Sequence, residues 1–232
     1  MFYNRILLKL SGGLFSGEDG SGLNFSAIAK IADEIIAAKN SGIEIAVVNG
    51  AGNIFRGRNR PPTFDRIAAD QIGFMAGIPN SLALLEILNG NGVDTRLMSA
   101  FEIPGIARKF DPFKARKLLQ EGKIIICAGG TGEAFFTHDT AAVLRALEIK
   151  ADALFKATDV DGVYSEDPEV NPTAKRYDTL SYDEAIAKNL RILDQTAFTL
   201  AGENALPIVV FKWAPDSLSR VLKNPSLGTI IS

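Results

Sequence analysis

Short runs of isoleucine, leucine and valine recur along the chain and alternate with longer stretches that have helical spacing. The runs are nearly continuous in apolar residues, which is typical of parallel strands covered on both faces. Their alternation with helices predicts right-handed crossovers and a mainly parallel sheet. The predicted strands are Arg5–Leu10, Glu44–Val48, Thr95–Met98, Lys123–Ala128, Ala153–Ala157 and Ile208–Phe211, with a further short one near residues 228–231.

The length and composition are those of a soluble globular protein. The chain has 232 residues, of which 47% are hydrophobic and 22% charged, an ordinary balance for a globular protein. No strong linker divides it, so we expect a single domain over residues 1–232. A capping-box pattern at Ser181–Glu184 predicts the start of a helix, and Pro215 is expected in the first turn of a last helix.

Charge and cysteine content exclude several classes of protein. A net charge of −2 and a pI of about 5.6 argue against a general nucleic-acid surface, which needs a concentrated basic face. The single cysteine, Cys127, lies in an apolar run and excludes a disulfide framework. No apolar stretch approaches the roughly 18 residues of a membrane span. The N-terminus enters a strand without a cleavage site, so we expect a cytoplasmic protein with no membrane contact.

Four glycine-rich turns lie where predicted strands meet helices or loops. Such turns let backbone N–H groups approach an anion without a Cβ in the way. The cationic residues Lys9, Arg56 and Lys156 lie near them in sequence. One such turn is a weak signal, but four in one α/β chain suggest a site for several phosphates. The turns are Ser11–Gly13, Gly50–Asn53, Gly129–Gly132 and Asp161–Gly162.

Two common phosphate-binding motifs do not account for these turns. The P-loop places its Gly-Lys pair after a strand, whereas Gly122-Lys123, the only such pair here, precedes one. The dinucleotide fingerprint needs a third glycine where this chain has Phe55, although Asp70 follows at a suitable distance. An NAD-dependent oxidoreductase stays as an alternative on that partial match.

The residues around the turns favour phosphoryl transfer, which requires positioning and cations that neutralise spreading charge. Lys9 ends the first strand, at the sheet edge where ligands collect in α/β folds, and Lys156 and Arg56 add cations from separate segments. Asp139 begins a predicted helix and is an N-cap, an ion-pair partner that orients Lys9, or a group that works through a metal. His138 is the only histidine and is interpreted as structural; without a Cys/His cluster we expect no zinc site.

A third block, Phe155–Pro168, joins a strand to a turn rich in aspartate and glycine. The spacing of its acidic residues does not match an EF-hand loop. Tyr164 and Asp167 are candidates for holding a nucleoside base and ribose; otherwise the block is a polar hairpin.

Several linked blocks resemble those of the bacterial UMP kinases, a branch of the amino acid kinase family. The resemblance runs from about Arg5 to Ile231. Any one block is modestly specific, but the set in this order is highly specific. The blocks are Arg5–Gly12, Gly50–Gly57, Ala128–Gly132 with Phe135–Asp139, Lys156–Tyr164 and Thr196–Ala201.

The resemblance implies a three-layer α/β/α sandwich around a mainly parallel sheet of about eight strands, and the Mg²⁺-dependent reaction ATP + UMP → ADP + UDP. The implied catalytic residues are Lys9, Arg56, Asp139 and Lys156. Those implied to bind ATP are Lys9, Ser11, Gly12, Gly13, Gly52, Arg56, Thr158, Tyr164 and Asp167. Those implied to bind UMP are Ala51, Asp70, Gly130, Thr131, Gly132, Glu133, Ala134, Phe135, Phe136 and Thr137. We expect the Mg²⁺ to be held through the ATP phosphates, with no protein metal site.

The chain departs from the family pattern at several of these positions. Ala51 stands in a glycine triplet, where its methyl is tolerated only at negative φ. The family's Gly-Asn-Pro-Phe-Phe-Thr-Thr-Asp reads Gly132-Glu-Ala-Phe-Phe-Thr-His-Asp139 here, so that Glu133 places a carboxylate near the acceptor. Asp159 replaces a frequent lysine near ATP.

The resemblance also implies a homohexamer regulated by GTP and UTP. Subunit contacts are expected through Thr196–Ala201 and through the helix around Ile67–Met75. The residues that would bind the effectors match less clearly than those of the substrate sites.

Three alternatives stay open. A carboxylate kinase of the same family would share the ATP half, but Gly130–Thr137 together with Asp70 argues against it. A storage protein of the same fold, like the molybdenum-storage proteins, would bind ATP and oxyanions without turning over UMP. The oxidoreductase would be protected by NAD rather than by ATP.

Overall fold

The structure, a computed structural model, describes residues 3–166, 168, 170–190 and 192–232, apart from the side chain of Arg58. Strands and helices alternate along this part of the chain. The strands are β1 Arg5–Leu10, β2 Glu44–Asn49, β3 Thr95–Ser99, β4 Arg108–Lys109, β5 Ile124–Ala128, β6 Ala153–Thr158, β7 Val163–Tyr164, β8 Arg176–Tyr177, β9 Thr179–Leu180, β10 Ile208–Lys212 and β11 Thr229–Ile231. The helices are α1 Gly13–Ser16, α2 Phe25–Asn40, α3 Arg66–Gly90, α4 Pro112–Gln120, α5 His138–Ile149, α6 Tyr182–Ala187, α7 Gln195–Glu203 and α8 Ser217–Lys223.

Nine strands form the central sheet in the order β4-β3-β5-β2-β1-β6-β10-β11-β9. Neighbouring strands in it run parallel, except that β11 is antiparallel to β10. The expectation of a mainly parallel sheet of about eight strands is confirmed, and the predicted strands are present with ends that shift by about one residue. Strands β7 and β8 pair separately as an antiparallel hairpin within the third sequence block and its continuation.

Helices cover both faces of the sheet and form an α/β/α sandwich. Alternate residues of β1 divide between two cores: Ile6 and Leu8 pack on one side, while Leu7 packs on the other. The first core includes side chains of α2, α3 and α8, and the second includes side chains of α4, α5, α6 and α7. Burial on both faces explains why the strands are continuous in Ile, Leu and Val.

Helix α3 is unusually long and apolar. By length and composition it is the one helix of the described residues able to cross a membrane, with 25 residues and a mean hydropathy of 1.3 over 18 of them. The expectation that no apolar stretch reaches this length is therefore wrong for α3. The helix buries Ile78, Leu84 and Leu88 in the core beside the sheet, and core helices of soluble proteins meet the same criterion.

Two predicted helix starts have different outcomes. The Ser181 side chain accepts from the Glu184 N–H and the Glu184 side chain reaches back to Ser181, which confirms the capping box. Pro215 does not lie in the first turn of α8. That helix begins at Ser217 after Asp216, whose φ of 61° turns the backbone away from a helical path.

Candidate active site

Two buried lysines stand side by side at the end of the sheet. Lys9 of β1 and Lys156 of β6 are in register on adjacent parallel strands, so their side chains leave the same face. Each ammonium group lies 2.7 Å from a carboxylate oxygen of Asp139, Lys9 at Oδ1 and Lys156 at Oδ2. Lys156 also donates to the carbonyl of Ile192. One carboxylate therefore holds two cations in place.

Asp139 lies in the first turn of α5 but is not its N-cap. The N-cap is Thr137, whose Oγ1 accepts from the backbone N–H groups of Asp139 at 3.0 Å and Thr140 at 3.3 Å. Of the roles expected for Asp139, the cap is wrong and the ion pair with Lys9 is observed, with Lys156 as a second partner.

The charges of this cluster shift the pKa values of Asp139 and Lys156. Burial alone would raise the pKa of Asp139, but the ammonium groups of Lys9 and Lys156 hold it well below its usual range. Burial and the charge of Lys9 lower the pKa of Lys156 to about 8, against the opposing attraction of Asp139. With both lysines protonated, the cluster carries one net positive charge.

Two of the glycine-rich turns pack directly against each other. A Cβ at Gly12 would lie 2.5 Å from the backbone nitrogen of Gly52 and 2.8 Å from Oδ1 of Asn53, so only glycine permits this approach. Ala51 between them is buried and has no positive φ, which satisfies the condition on its methyl group. The first two turns thus form one surface of backbone amides.

A buried amide pair fixes this surface to α3. Asn53 and Asn80 exchange two hydrogen bonds of 2.9 Å between their side chains. Asn80 also donates to the carbonyl of Gly50 at 2.8 Å, and Asn53 donates to the carbonyl of Gly22 at 2.7 Å. The second glycine turn is therefore held on both sides by polar groups whose hydrogen bonds are satisfied, which makes it rigid.

A cavity of about 530 Å³ opens above the lysine cluster, within the usual size range of ligand sites. The glycine turns and the start of α5 line one side of it, and residues between α6 and α7 line the other. We call it the donor cavity. Among the predicted site residues it includes Lys9, Ser11, Gly12, Ala51, Gly52, Thr137 and Asp139.

A second cavity of about 310 Å³, here the acceptor cavity, adjoins the first. It lies between the start of α3 and the segment that leads into α5, and Arg60, Arg66, Asp70, Phe74 and Phe136 are among its residues. Four residues line both cavities and form what we call the shared wall: Ala51, Gly52, Thr137 and His138.

Asp70 joins the acceptor cavity to the loop that follows the third glycine turn. Its Oδ2 accepts from the backbone N–H of Phe135 and from Nε of Arg66, both at 2.8 Å. Phe135 has a φ of 73°, a conformation that bulky residues rarely adopt and that often marks functional loops. A Cβ at Gly130 would lie 2.8 Å from the ring of Phe74. The loop before α5 is thus tied to α3.

Other predicted site residues do not line the two cavities. Arg56 is exposed and its Nε donates to the carbonyl of Gly52 at 2.8 Å. Thr158 donates to Asp159, and Tyr164 donates to Asp161 at 2.6 Å within the hairpin region. Asp167 falls outside the described residues. Those that line neither cavity are Gly13, Arg56, Gly130, Thr131, Gly132, Glu133, Ala134, Phe135, Lys156, Thr158 and Tyr164.

Sequence reasoning missed Asp194, which organises the far side of the donor cavity. Its carboxylate accepts from the hydroxyls of Thr137 and Thr140 and caps α7 by accepting from the Ala197 N–H at 2.8 Å. It therefore links the N-termini of two helices. The available signal was an aspartate just before an amphipathic helix, which predicts the cap but not the threonine partners.

No group of three or more His, Cys, Asp or Glu residues is placed to hold a metal ion in the part of the chain that the structure describes. The nearest carboxylates, Asp139 and Asp194, are occupied by lysines and by threonine hydroxyls. A divalent cation that arrives on a polyphosphate would need only the phosphate oxygens and water as ligands.

Comparison with known proteins identifies the family. A uridylate kinase from Colwellia psychrerythraea strain 34H is 44% identical over 99% of this chain and 94% of its own length. The crystal structure of a UMP kinase from Bacillus anthracis has a TM-score of 0.95 at 36% identity, and the match covers 99% of this chain and 96% of that one. A UMP kinase from Ureaplasma parvum has a TM-score of 0.93 at 33% identity and full coverage of both chains.

The sequence pattern of the amino acid kinase family matches residues 4–212 of this chain. This range includes every residue that lines the two cavities. The match spans the lysine cluster, the glycine turns and the shared wall. The chain therefore belongs to the amino acid kinase family.

Proposed function

We propose that this protein is a UMP kinase, which transfers the γ-phosphoryl group of ATP to UMP and releases ADP and UDP. The observation that carries the proposal is the pair of adjoining cavities with the Lys9–Asp139–Lys156 cluster beside their shared wall. A donor and an acceptor phosphate can meet there next to two fixed cations. The relatives named uridylate or UMP kinase over nearly the whole chain support the same acceptor.

The transfer is direct and in line, without a phosphoenzyme. The acceptor oxygen of UMP is already anionic near neutral pH and needs no general base. Lys9 and Lys156 stabilise the charge that spreads over the transferring group, and Asp139 fixes where the two ammonium groups point. Cys127 is buried and its pKa is raised to about 12 by burial, which excludes it as a nucleophile.

On the donor side, the backbone N–H groups of the first two glycine turns hold the ATP phosphates. The proposed residues are Ser11, Gly12, Gly13 and Gly52, with Arg56 bracing the second turn through the Gly52 carbonyl. The adenosine is assigned to Thr158, Tyr164 and Asp167, as expected from the sequence. Mg²⁺, bound through the phosphates of ATP, would supply further neutralisation of charge.

On the acceptor side, the loop from Gly130 to Thr137 surrounds UMP, and Ala51 offers its N–H to the UMP phosphate. Asp70 uses Oδ2 for the loop and for Arg66, so its Oδ1 is the atom assigned to a ribose hydroxyl. Glu133 is exposed at the rim of this loop. Its acidic side chain distinguishes this site from the family pattern, which has asparagine at this position.

The proposal includes a cytoplasmic homohexamer in which residues 1–232 act as one domain. Along α3, Ile67, Ile72 and Met75 are each at least 40% exposed, which supports a subunit contact there. By contrast, Ala197, Phe198 and Ala201 of the Thr196–Ala201 block are buried within the chain itself. Regulation by GTP and UTP stays a prediction from the family resemblance.

The test is an assay of ADP release with MgATP and each nucleoside monophosphate in turn, run beside Lys9→Ala. Selective turnover of UMP that is lost in the variant supports the proposal. Turnover of a carboxylate substrate but no monophosphate would identify a different kinase of the family. ATP binding with oxyanion loading and no turnover would identify a storage protein, and protection by NAD rather than ATP would favour an oxidoreductase.

A further inference from the structure

The only histidine of the chain stands in the wall that the two cavities share. His138 is the first residue of α5, directly before Asp139. Its ring packs at an angle against the ring of Phe74, with centroids 6.3 Å apart. An anion held at this wall would have an imidazole beside it as well as the ammonium group of Lys9.

Helix α3 gives this ring its space. Gly77 lies inside the helix, where glycine is destabilising, and a Cβ there would lie 3.5 Å from Nε2 of His138. A side chain longer than alanine would meet the imidazole. Pro79, in the same turn, removes a backbone hydrogen bond from the helix. Two residues that helices disfavour therefore lie where α3 passes the histidine.

The imidazole carries an unused hydrogen-bonding atom. Among the described residues, no partner is present for its enclosed Nε2, and buried polar atoms without a partner are rare enough to need a reason. Burial and the charge of Lys9 together lower the pKa of His138 to about 4, against the opposing effect of Asp139. The ring is therefore neutral near neutral pH and sensitive to any new charge beside it.

The charged groups around the ring come from several elements. Its direct neighbours on α3, Phe74 and Gly77, are uncharged. Lys9 opposes protonation and Asp139 favours it. The charged residues that line the two cavities with it are Lys9, Arg60, Arg66, Asp70, Asp139 and Asp194.

Building on the proposed function, we propose that His138 binds the phosphate of UMP and takes up a proton from solvent when it does so. A phosphate within about 4–6 Å offsets the charge of Lys9 and favours the imidazolium form. The imidazolium then pairs with that phosphate through Nδ1, because Nε2 is enclosed against Gly77 of α3. His138 is thus a binding residue for the acceptor, at a position where the family pattern has threonine.

The sign of the resulting pH dependence follows from this linkage. The bound-state pKa of His138 lies above its free-state value of about 4. UMP binding is therefore strengthened as the pH falls through the bound-state pKa towards the free-state pKa. Well above the bound-state value the histidine is neutral with or without UMP, and the gain is absent.

A direct test uses the single histidine as its own probe. The protein labelled with ¹³C at the histidine Cε1 is titrated with acid by NMR, free and with saturating UMP. Uridine, which lacks the phosphate, is the matched control. We expect UMP to raise the apparent pKa of His138 by about 1–3 and uridine to leave it unchanged.

The outcomes separate this inference from the proposed function. An unchanged histidine titration at UMP concentrations that saturate turnover overturns the inference and leaves the kinase assignment intact. Failure of the protein to turn over UMP in the ADP-release assay contradicts the assignment, and the inference with it. An equal shift with uridine would show that the phosphate is not what the ring senses, which also overturns the inference.

The variant His138→Gln gives a second readout, because glutamine keeps a hydrogen-bond donor but cannot gain charge. We expect its KM for UMP to exceed that of the wild type by up to about 10-fold near pH 6, the full factor corresponding to a pKa rise of about 3, and the gap to shrink towards about pH 8, with a smaller effect on kcat. Ionisation of UMP itself affects both proteins alike. A gap of equal size at both pH values would indicate a merely structural role, and thermal melting of the variant checks its folding.

Discussion

The donor and acceptor cavities are built from different kinds of structure. The cations of the donor side end two central strands, and the side chains of Lys9 and Lys156 are only 10% exposed. The acceptor side takes its charges from the loop before α3 and from the first turns of that helix, where the side chain of Arg66 is 45% exposed. The groups proposed for the chemistry are thus fixed by the sheet, and those proposed for recognition lie on segments that vary more easily.

The two cavities also differ in the free energy that their ion pairs are expected to contribute. Removal of one partner from a buried ion pair typically costs about 3–5 kcal/mol, because the other charge is left buried and unpaired. An exposed pair one helical turn apart, such as Arg66 with Asp70, is worth about 0.3–0.5 kcal/mol. Changes at the lysine cluster should therefore affect rate and stability strongly, whereas changes at the acceptor side should mainly affect KM for UMP.

The largest effect is expected for Lys9→Ala. Loss of a fixed cation at the transferring phosphoryl group should lower kcat by about 10²–10³-fold or more, as for other groups that stabilise transition-state charge. Steady-state ADP release measures it. Lys30→Ala, an exposed lysine on α2, is the matched control and should keep wild-type kcat. Near-normal turnover in Lys9→Ala would remove the cluster from the mechanism.

Asp139→Asn should follow, with effects on both stability and rate. The amide keeps the size of the carboxylate but leaves two buried ammonium groups without a counter-charge. We expect the free energy of unfolding to fall by roughly 3 kcal/mol and kcat by about 10²-fold. Chemical denaturation and the kinetic assay check the two parts. Wild-type stability in this variant would show that the ion pairs do not hold the lysines in place.

Asp70→Asn should have a smaller and more selective effect. Loss of the charged acceptor for a ribose hydroxyl should raise KM for UMP by about 10-fold, with little change in kcat or in KM for ATP. Initial rates over a matrix of both substrates separate these parameters. An equal rise in KM for ATP would mean that the two cavities do not divide the substrates as proposed.

The smallest effect is expected from pH in the wild-type protein. In the proposed mechanism Lys156 acts as a cation, and its pKa is about 8, so activity should decline as the pH rises through that value and the ammonium group loses its proton. A pH profile of kcat/KM for ATP measures the decline. In Lys156→Arg the charge persists to about pH 12, so the alkaline decline should disappear even if the maximum rate is lower. A decline that persists unchanged would assign it to another group.

Local signals in the sequence account for most of the fold. The strands were predictable because β1, β2 and β5 are buried on both faces and therefore continuous in Ile, Leu and Val. The capping box at Ser181 was predictable because its two partners are only three residues apart in the sequence. Pro215 was misplaced because the left-handed turn at Asp216 has no clear sequence signal.

The site was only partly predictable because its key contacts are distant in sequence. The glycine turns and Lys9 were identified from their own neighbourhoods. The sharing of Asp139 between Lys9 and Lys156 depends on the register of β1 with β6, which pattern alone does not specify. Asp194 binds Thr140, 54 residues away, and His138 owes its place to Gly77 on another helix. These pairings arise from tertiary packing.

In the proposed mechanism, the phosphoryl group passes directly from ATP to UMP across the shared wall, and the lysine cluster stabilises the charge that develops on it. Rapid-quench single-turnover measurement with ATP labelled at the γ-phosphate and saturating UMP tests it most directly. The account predicts that label passes from ATP to UDP with no protein-bound label, and that Lys9→Ala slows this step far more than Arg56→Ala. Label that appears first on the protein and then chases into UDP, or equal slowing in the two variants, would contradict it.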